Sequence, residues 1–414
     1  MALTKISKAI YVSIFFLVLS LPIVQYTSIK LGHCLIPRKG LTNVTIKRDA
    51  PQLKTSRLLN GKFQKELETW FLRNHGLWGY LVTTENQINF DLFHQISGGY
   101  GNELLLGNNN SLFQRMYLED VNGRIDTSPS RLEKRVKWIS DIQNYCIKNG
   151  KAFVVLITPS KVAHDPSIVP SWFQSNAYLT SVERDYDKIT KLFDQHGINY
   201  IDSPKLLKQQ SQETNIPTFC PSGAHYNAVG SCTVAKELAR RAYEMLKFPV
   251  KDFTCGPQIE WKSKLESQER DLAVMMNIWT PKKTMVPTPY ITPTLTNTAS
   301  NATHITTNTT KEERPKFLVI GTSFMWPVFG ALEKMGIYDR RFFFYYYKTN
   351  YFYFRDRPTD SKRGKKPIKR DELDWEKLVL SNDVIVLEAH EALAGQIGFE
   401  FAGDFVKHVL KITE

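Results

Sequence analysis

Four short runs constrain the fold more than anything else in the chain. They are "AFVVLIT" at 152–158, "INYID" at 198–202, "KFLVI" at 316–320 and "DVIVLEA" at 383–389. Each is rich in β-branched and apolar residues and too short for a buried helix. A run that is apolar on both faces reads as a strand covered on both faces, the environment of a parallel sheet. Helical periodicity lies around and between these runs, at 130–149, 180–196, 226–247, 324–335 and 399–412. Strands alternating with helices predict an α/β fold built on a doubly wound parallel sheet. In such sheets functional side chains gather at the carboxyl ends of the strands. Upstream, 63–93 predicts one or two helices, and "ELLLGNNNSLFQRMY" predicts two short strands across an Asn-rich turn.

A mean hydropathy of −0.31 excludes a polytopic membrane protein. One segment, 9–29, carries no charge and as a helix would reach about 30 Å, one hydrocarbon thickness. Lys5 and Lys8 precede it, and no small-x-small cleavage site follows. The expected organisation is a cytoplasmic tail at 1–8, a transmembrane signal anchor at 9–29, a tether at 30–60 and an exported globular domain at 61–414. Within that domain 288–310, with ten Thr, predicts a disordered insertion. The five cysteines have no metal-ligand spacing. No metal or other cofactor is expected. An exported domain has a use for one disulfide among Cys220, Cys232 and Cys255, whereas Cys146 reads as a plain buried thiol.

The net charge is +13, and 355–370 holds eight Lys/Arg against two Asp. That segment is either a solvated loop or a landing site for an anionic polymer or lipid headgroups. No nucleic-acid fold signature accompanies it, so nucleic acid is not an expected partner.

The chemistry concentrates in two stretches. "FLVIGTSFMWPVFGAL" runs from a strand into a small hydroxyl-bearing turn and straight on into a helix. Ser323 there exposes its hydroxyl at the sheet edge, as a nucleophile requires. Gly321, Thr322 and Phe324 form the rest of the turn and are candidates for the oxyanion site or cleft wall, with amides at the helix start as donors. "CPSGAHYNAVGS" puts His225 in a small-residue loop before a helix, placed to act as general base. Asn108 and its neighbours serve either as an oxyanion donor or as turn formers. Lys161 follows a strand near the same edge. The aromatic run at 342–354 predicts a buried strand in its first half. Tyr351, Tyr353 and Arg355 then become candidates for stacking on and pairing with a sugar chain.

Taken in order, "LLLGNNNSLFQRMY", "AFVVLITPSK", "SGAHYNAVGS", "FLVIGTSF" and "VIVLEAHE" resemble the motifs of the alginate O-acetyltransferase AlgJ/AlgX family, over about 60–410. The resemblance implies an SGNH-hydrolase-like fold in a membrane-anchored, periplasm-facing enzyme of the inner membrane. Such an enzyme passes an acetyl group through a serine ester to hydroxyls of an exported polysaccharide, taking it from a membrane-bound acyltransferase. It makes Ser323 the nucleophile and His225 the base. The carboxylate partner of the family's Asp-x-His pair falls on Gly223, so it is absent there. Asp202 and Glu388 are the candidates to replace it. Without a replacement the alternatives are a slower Ser-His dyad oriented by a backbone carbonyl or a silent polysaccharide-binding subunit, and a carbohydrate acetylesterase using the same residues is a further alternative in any case.

Overall fold

The computed structural model describes residues 5–46, 49–96, 103–171, 173, 183–248, 253–255, 259–281, 285–295, 314–356 and 364–412. The chain divides into two compact units, residues 1–104 with 273–283, and residues 105–272 with 284–414.

The first unit is helical. Its longest helix, Lys5–Lys30, contains the segment Ser7–Lys30, which has the length and composition to cross a membrane, a test that a signal sequence also passes. Helices Lys62–Asn74 and Trp78–Phe93 follow, as the periodicity of 63–93 predicts. Rings meet where Tyr26 packs edge-on against Trp70 and Phe71.

The second unit is built on a seven-stranded sheet. Its strands are β1 (Ala152–Thr158), β2 (Tyr200–Asp202), β3 (Lys316–Gly321), β4 (Arg340–Tyr345), β5 (Thr349–Phe354), β6 (Lys365–Pro367) and β7 (Val384–His390). Their spatial order is β6-β5-β4-β3-β7-β1-β2. From β4 to β2 every pairing is parallel, while β5 and β6 extend one edge antiparallel. All seven side chains of β1 and of β7 are buried, which is why both read as continuous apolar runs.

Helices cover both faces. On one, α1 (Pro129–Lys148), α2 (Asp185–His196) and α6 (Phe401–His408) share a core with Phe153, Val155, Ile157, Leu318, Ile320, Ile385 and Leu387. On the other, α4 (Ala228–Leu246) buries Val234, Ala235 and Leu238, and α5 (Met325–Lys334) buries Val328, Phe329 and Leu332. The helix α3 (Ser203–Thr214) follows β2 directly. Each fully buried Leu, Ile or Phe contributes about 1.5–3 kcal/mol of transfer free energy, so this double covering dominates the stability.

The aromatic run is a hairpin, with β4 and β5 joined through the three residues 346–348, of which Tyr346 and Tyr347 lie at positive φ (48° and 53°). Bulky side chains at positive φ mark a strained corner. The Thr-rich stretch also departs from expectation: Thr288–Tyr290 pairs with Glu260–Lys262, and Thr294–Leu295 pairs with Phe253–Thr254. Backbone pairing with a distant segment orders it, which local composition does not register; 296–310 lies outside the described residues. Cys232 and Cys255 form a disulfide, and Cys146 and Cys220 are buried free thiols.

Candidate active site

Ser323 stands at the carboxyl end of β3, between Gly321 and the first residue of α5. Its side chain is half-buried and its Oγ lies 2.8 Å from His225 Nε2. His225, only 7% exposed, sits two residues before Asn227, whose side chain caps α4 by accepting from Val229 N and Gly230 N. The opposite ring nitrogen, Nδ1, stands 3.0 Å from Asp271 Oδ2, an ion-pair contact set off the axis of an aligned hydrogen bond. Catalytic contacts of this kind commonly tighten only when substrate is bound. Asp271 is held in place because its Oδ1 accepts from Ala224 N and Leu272 N, both at 2.9 Å. Serine hydroxyl, imidazole and carboxylate therefore lie in line, from segments almost a hundred residues apart on one side and forty-six on the other.

Those three groups sit in a domain that matches the family model of the SGNH hydrolase-like domain of the acetyltransferase AlgX over residues 104–333, more than half of the chain. The chain belongs to the AlgX family. No curated protein matches it by sequence. Among solved structures it is similar to the O-acetyltransferase domain of Pseudomonas putida AlgJ, at 13% identity and TM-score 0.42, covering 70% of this chain and 92% of that one. It is similar also to Pseudomonas aeruginosa AlgX, at 14% identity and TM-score 0.42, covering 73% and 67%. A third is Bacillus cereus PatB1, at 10% identity and TM-score 0.36, covering 65% and 92%. Family membership gives the SGNH-like α/β fold and a role related to polysaccharide O-acetylation.

Within this AlgX-family domain the carboxylate beside His225 is neither of the two expected. Asp202 ends β2, accepts from the Tyr186 hydroxyl and from Lys205 N, and so caps α3. Glu388 lies under the Ser323 turn, accepting from Thr322 N (2.5 Å), Thr322 Oγ1 (3.0 Å) and Thr158 Oγ1 (2.7 Å). Burial pushes its carboxyl up to about 7 against these donors. Asp271 escaped notice because it belongs to an irregular stretch with no strand or motif. Its one local signal is an acidic residue just before "LAVM", which opens the five-residue helix Asp271–Met275.

Gly223 explains the exchange. A Cβ there would lie 2.6 Å from Gln268 O and 2.8 Å from Glu269 O. The segment that delivers Asp271 therefore fills the space a side chain at 223 would need. Ser222 Oγ donates to Glu269 O, tying the two segments together. Lys161, fully buried, donates from Nζ to the carbonyls of Leu112, Cys220, Pro221 and Gly223 and so clamps the His225 loop from below. Burial pushes that ammonium down to about 7, while the four carbonyls favour its charged form.

Two of the turn amides are committed elsewhere. Thr322 N donates to Glu388, and Phe324 N to Thr322 Oγ1. Gly321 is needed for close approach, since a Cβ would lie 2.5 Å from Glu388 Oε2, and its carbonyl accepts from Tyr346 N. The expectation of Thr322 and Phe324 as oxyanion donors is corrected accordingly. Tyr345, which pairs with Gly321, and Tyr346, whose N–H donates to the Gly321 carbonyl, stand at the end of the neighbouring strand beside the Ser323 turn.

Asn108 is likewise used structurally, its Nδ2 donating to Ser167 O at 2.8 Å. Tyr351 packs edge-on against Trp326, on the first turn after Ser323, and Tyr353 against Tyr338. Arg355 is exposed at the end of β5, and 357–363 of the basic segment lies outside the described residues. His390, packed between Phe324 and Tyr117 and pushed down to about 3 by burial and the nearby His225, forms a wall of the site. Glu391 is a structural post, accepting from Ser160 N and Arg184 Nη1. No cluster of three or more His, Cys, Asp or Glu able to hold a metal occurs among the described residues.

Proposed function

We propose that this chain is a polysaccharide O-acetyltransferase that works through a serine ester. The observation that carries the reading is the line from Ser323 Oγ through His225 to Asp271, at 2.8 and 3.0 Å, in a domain of the AlgX family. His225 Nε2 takes the proton of Ser323 as Oγ attacks an acetyl carbonyl. Asp271 holds the imidazole with Nδ1 protonated and stabilises the imidazolium. Tyr345 and Tyr346, set beside Gly321 at the end of β4, are the candidate donors to the charge that builds on the carbonyl oxygen. The leaving group departs with the proton from His225 and the acetyl group remains on Ser323. A sugar hydroxyl, deprotonated in turn by His225, then attacks the ester and releases the serine. The acetyl donor in this reading is a membrane-bound acyltransferase partner. The helix Lys5–Lys30 anchors the chain in the inner membrane, with the catalytic domain in the periplasm. A carboxylate beside His225 favours catalysis over a silent subunit.

The test is acetyl transfer by the full chain from p-nitrophenyl acetate, with and without an oligosaccharide acceptor, followed by mass spectrometry of the glycan and of Ser323. Acetylated glycan and a transient acetyl on Ser323, both lost in Ser323→Ala, are expected. Hydrolysis that no acceptor accelerates and that leaves the glycan bare would make the protein an esterase instead.

A further inference from the structure

A second concavity lies on the far side of the His225 loop. It measures about 660 Å³, within the range of small-molecule sites, and is bounded by 215–221, the end of α3 and the ribbon 260–262/288–290. Its outstanding feature is Trp261. This ring sits mid-ribbon opposite Pro289 and is 61% exposed, although a tryptophan face gains more from burial than almost any other side chain. Pro217, Phe219 and Pro289 give the walls apolar, rigid surfaces, while Gln212, Asn215 and Lys208 bring hydrogen-bonding groups to the same space. An exposed indole in the same concavity as two side-chain amides suits a ligand with apolar C–H faces and a rim of hydroxyls. Pyranose rings have that shape: their C–H faces stack on indole, and amides pair with hydroxyls as donor and acceptor together. No single sign of charge selects the occupant: Lys208 and Asp165 line the groove with opposite charges, and the Lys161 ammonium is held by four carbonyls.

The groove is also at a useful distance. Pro221 lines it, and His225 follows four residues later, so the chain can separate the two by at most about 14 Å. A polymer lying in the groove would have rings within reach of Ser323.

We propose that the Trp261 groove is a non-catalytic carbohydrate-binding site that grips the acceptor chain a few rings away from the acetylated hydroxyl. The assignment of a sugar chain as occupant rests on the acetyltransferase reading; the groove itself does not. The test uses the full chain in detergent carrying Ser323→Ala, so that nothing turns over, titrated calorimetrically with mannuronate, cello- and chito-hexasaccharides. At least one should bind, and adding Trp261→Ala should weaken it roughly tenfold or more, with Trp261→Phe intermediate. Ser323-dependent hydrolysis of p-nitrophenyl acetate should be unchanged in Trp261→Ala. Binding by none of the three sugars, or a dissociation constant within twofold of the parent in Trp261→Ala, overturns the proposal. Trp261-dependent binding in a chain lacking Ser323-dependent hydrolysis would leave the groove standing and sink the catalytic reading alone.

Discussion

The two segments that flank His225 are built in opposite ways. The Ser323 turn grows out of the middle of the sheet. β3 is paired on both sides, Phe317 to Gly321 are buried, and Glu388 under the turn accepts three hydrogen bonds from Thr158 and Thr322. Asp271 arrives on an irregular stretch, its side chain 30% exposed, fixed by two backbone amides and by the contact of 268–269 with Gly223. One group is positioned by the core and the other by a few local bonds. The lesson is that in an SGNH-like domain the serine can stand on the scaffold while the carboxylate beside its histidine partner comes from a different part of the chain.

The contrast predicts a graded response to substitution. Ser323→Ala and His225→Ala should each lower acetyl transfer by about 10⁴-fold or more, since a triad acts as a unit. Their melting temperatures should stay near that of the parent, and calorimetry checks that the loss is chemical. Asp271→Asn should cost about 10²–10⁴-fold in kcat with little change in KM, because the imidazole loses its orienting charge. Equal kcat in Asp271→Asn and the parent would mean that Asp271 is only a neighbour of His225.

Glu388 should reveal itself through pH. Its folded carboxyl titrates near 7 instead of the ordinary 4.5, so the folded state holds the proton more tightly than the unfolded one. Its contribution is fully present below about 4.5 and is lost as pH rises through about 7, an effect of up to about 3 kcal/mol. Glu388→Gln should flatten that part of the stability profile between pH 5 and 7, measured by urea unfolding. Other raised carboxyls, Glu391 and Asp120, would leave a residual slope.

Gly321→Ala, whose Cβ would meet Glu388 Oε2, should destabilise by about 2 kcal/mol in the same measurement. Asp202→Asn should do least, about 1 kcal/mol or below, with kcat intact, because Asp202 caps α3 away from the chemistry. A large kcat loss there would return Asp202 to the site.

Much of the scaffold was legible because it rests on local patterns. "AFVVLIT" is a strand over the residues expected, and Ser323 and His225 fell in the turn and loop their small neighbours announced. The amides of Thr322 and Phe324 look free in sequence, but Glu388 and Thr322 Oγ1 take them. The Thr-rich stretch misled for a related reason, since 288–290 is ordered by pairing with 260–262.

The sequence alone determined the layered α/β scaffold, the serine turn and the histidine loop, because hydrophobic period and turn chemistry act over a few neighbouring residues. Tertiary structure decided which carboxylate meets His225, why no side chain fits at 223, and which groups take the amides of Thr322 and Phe324. Those outcomes depend on distances between segments tens of residues apart, and such distances exist only once the chain has packed.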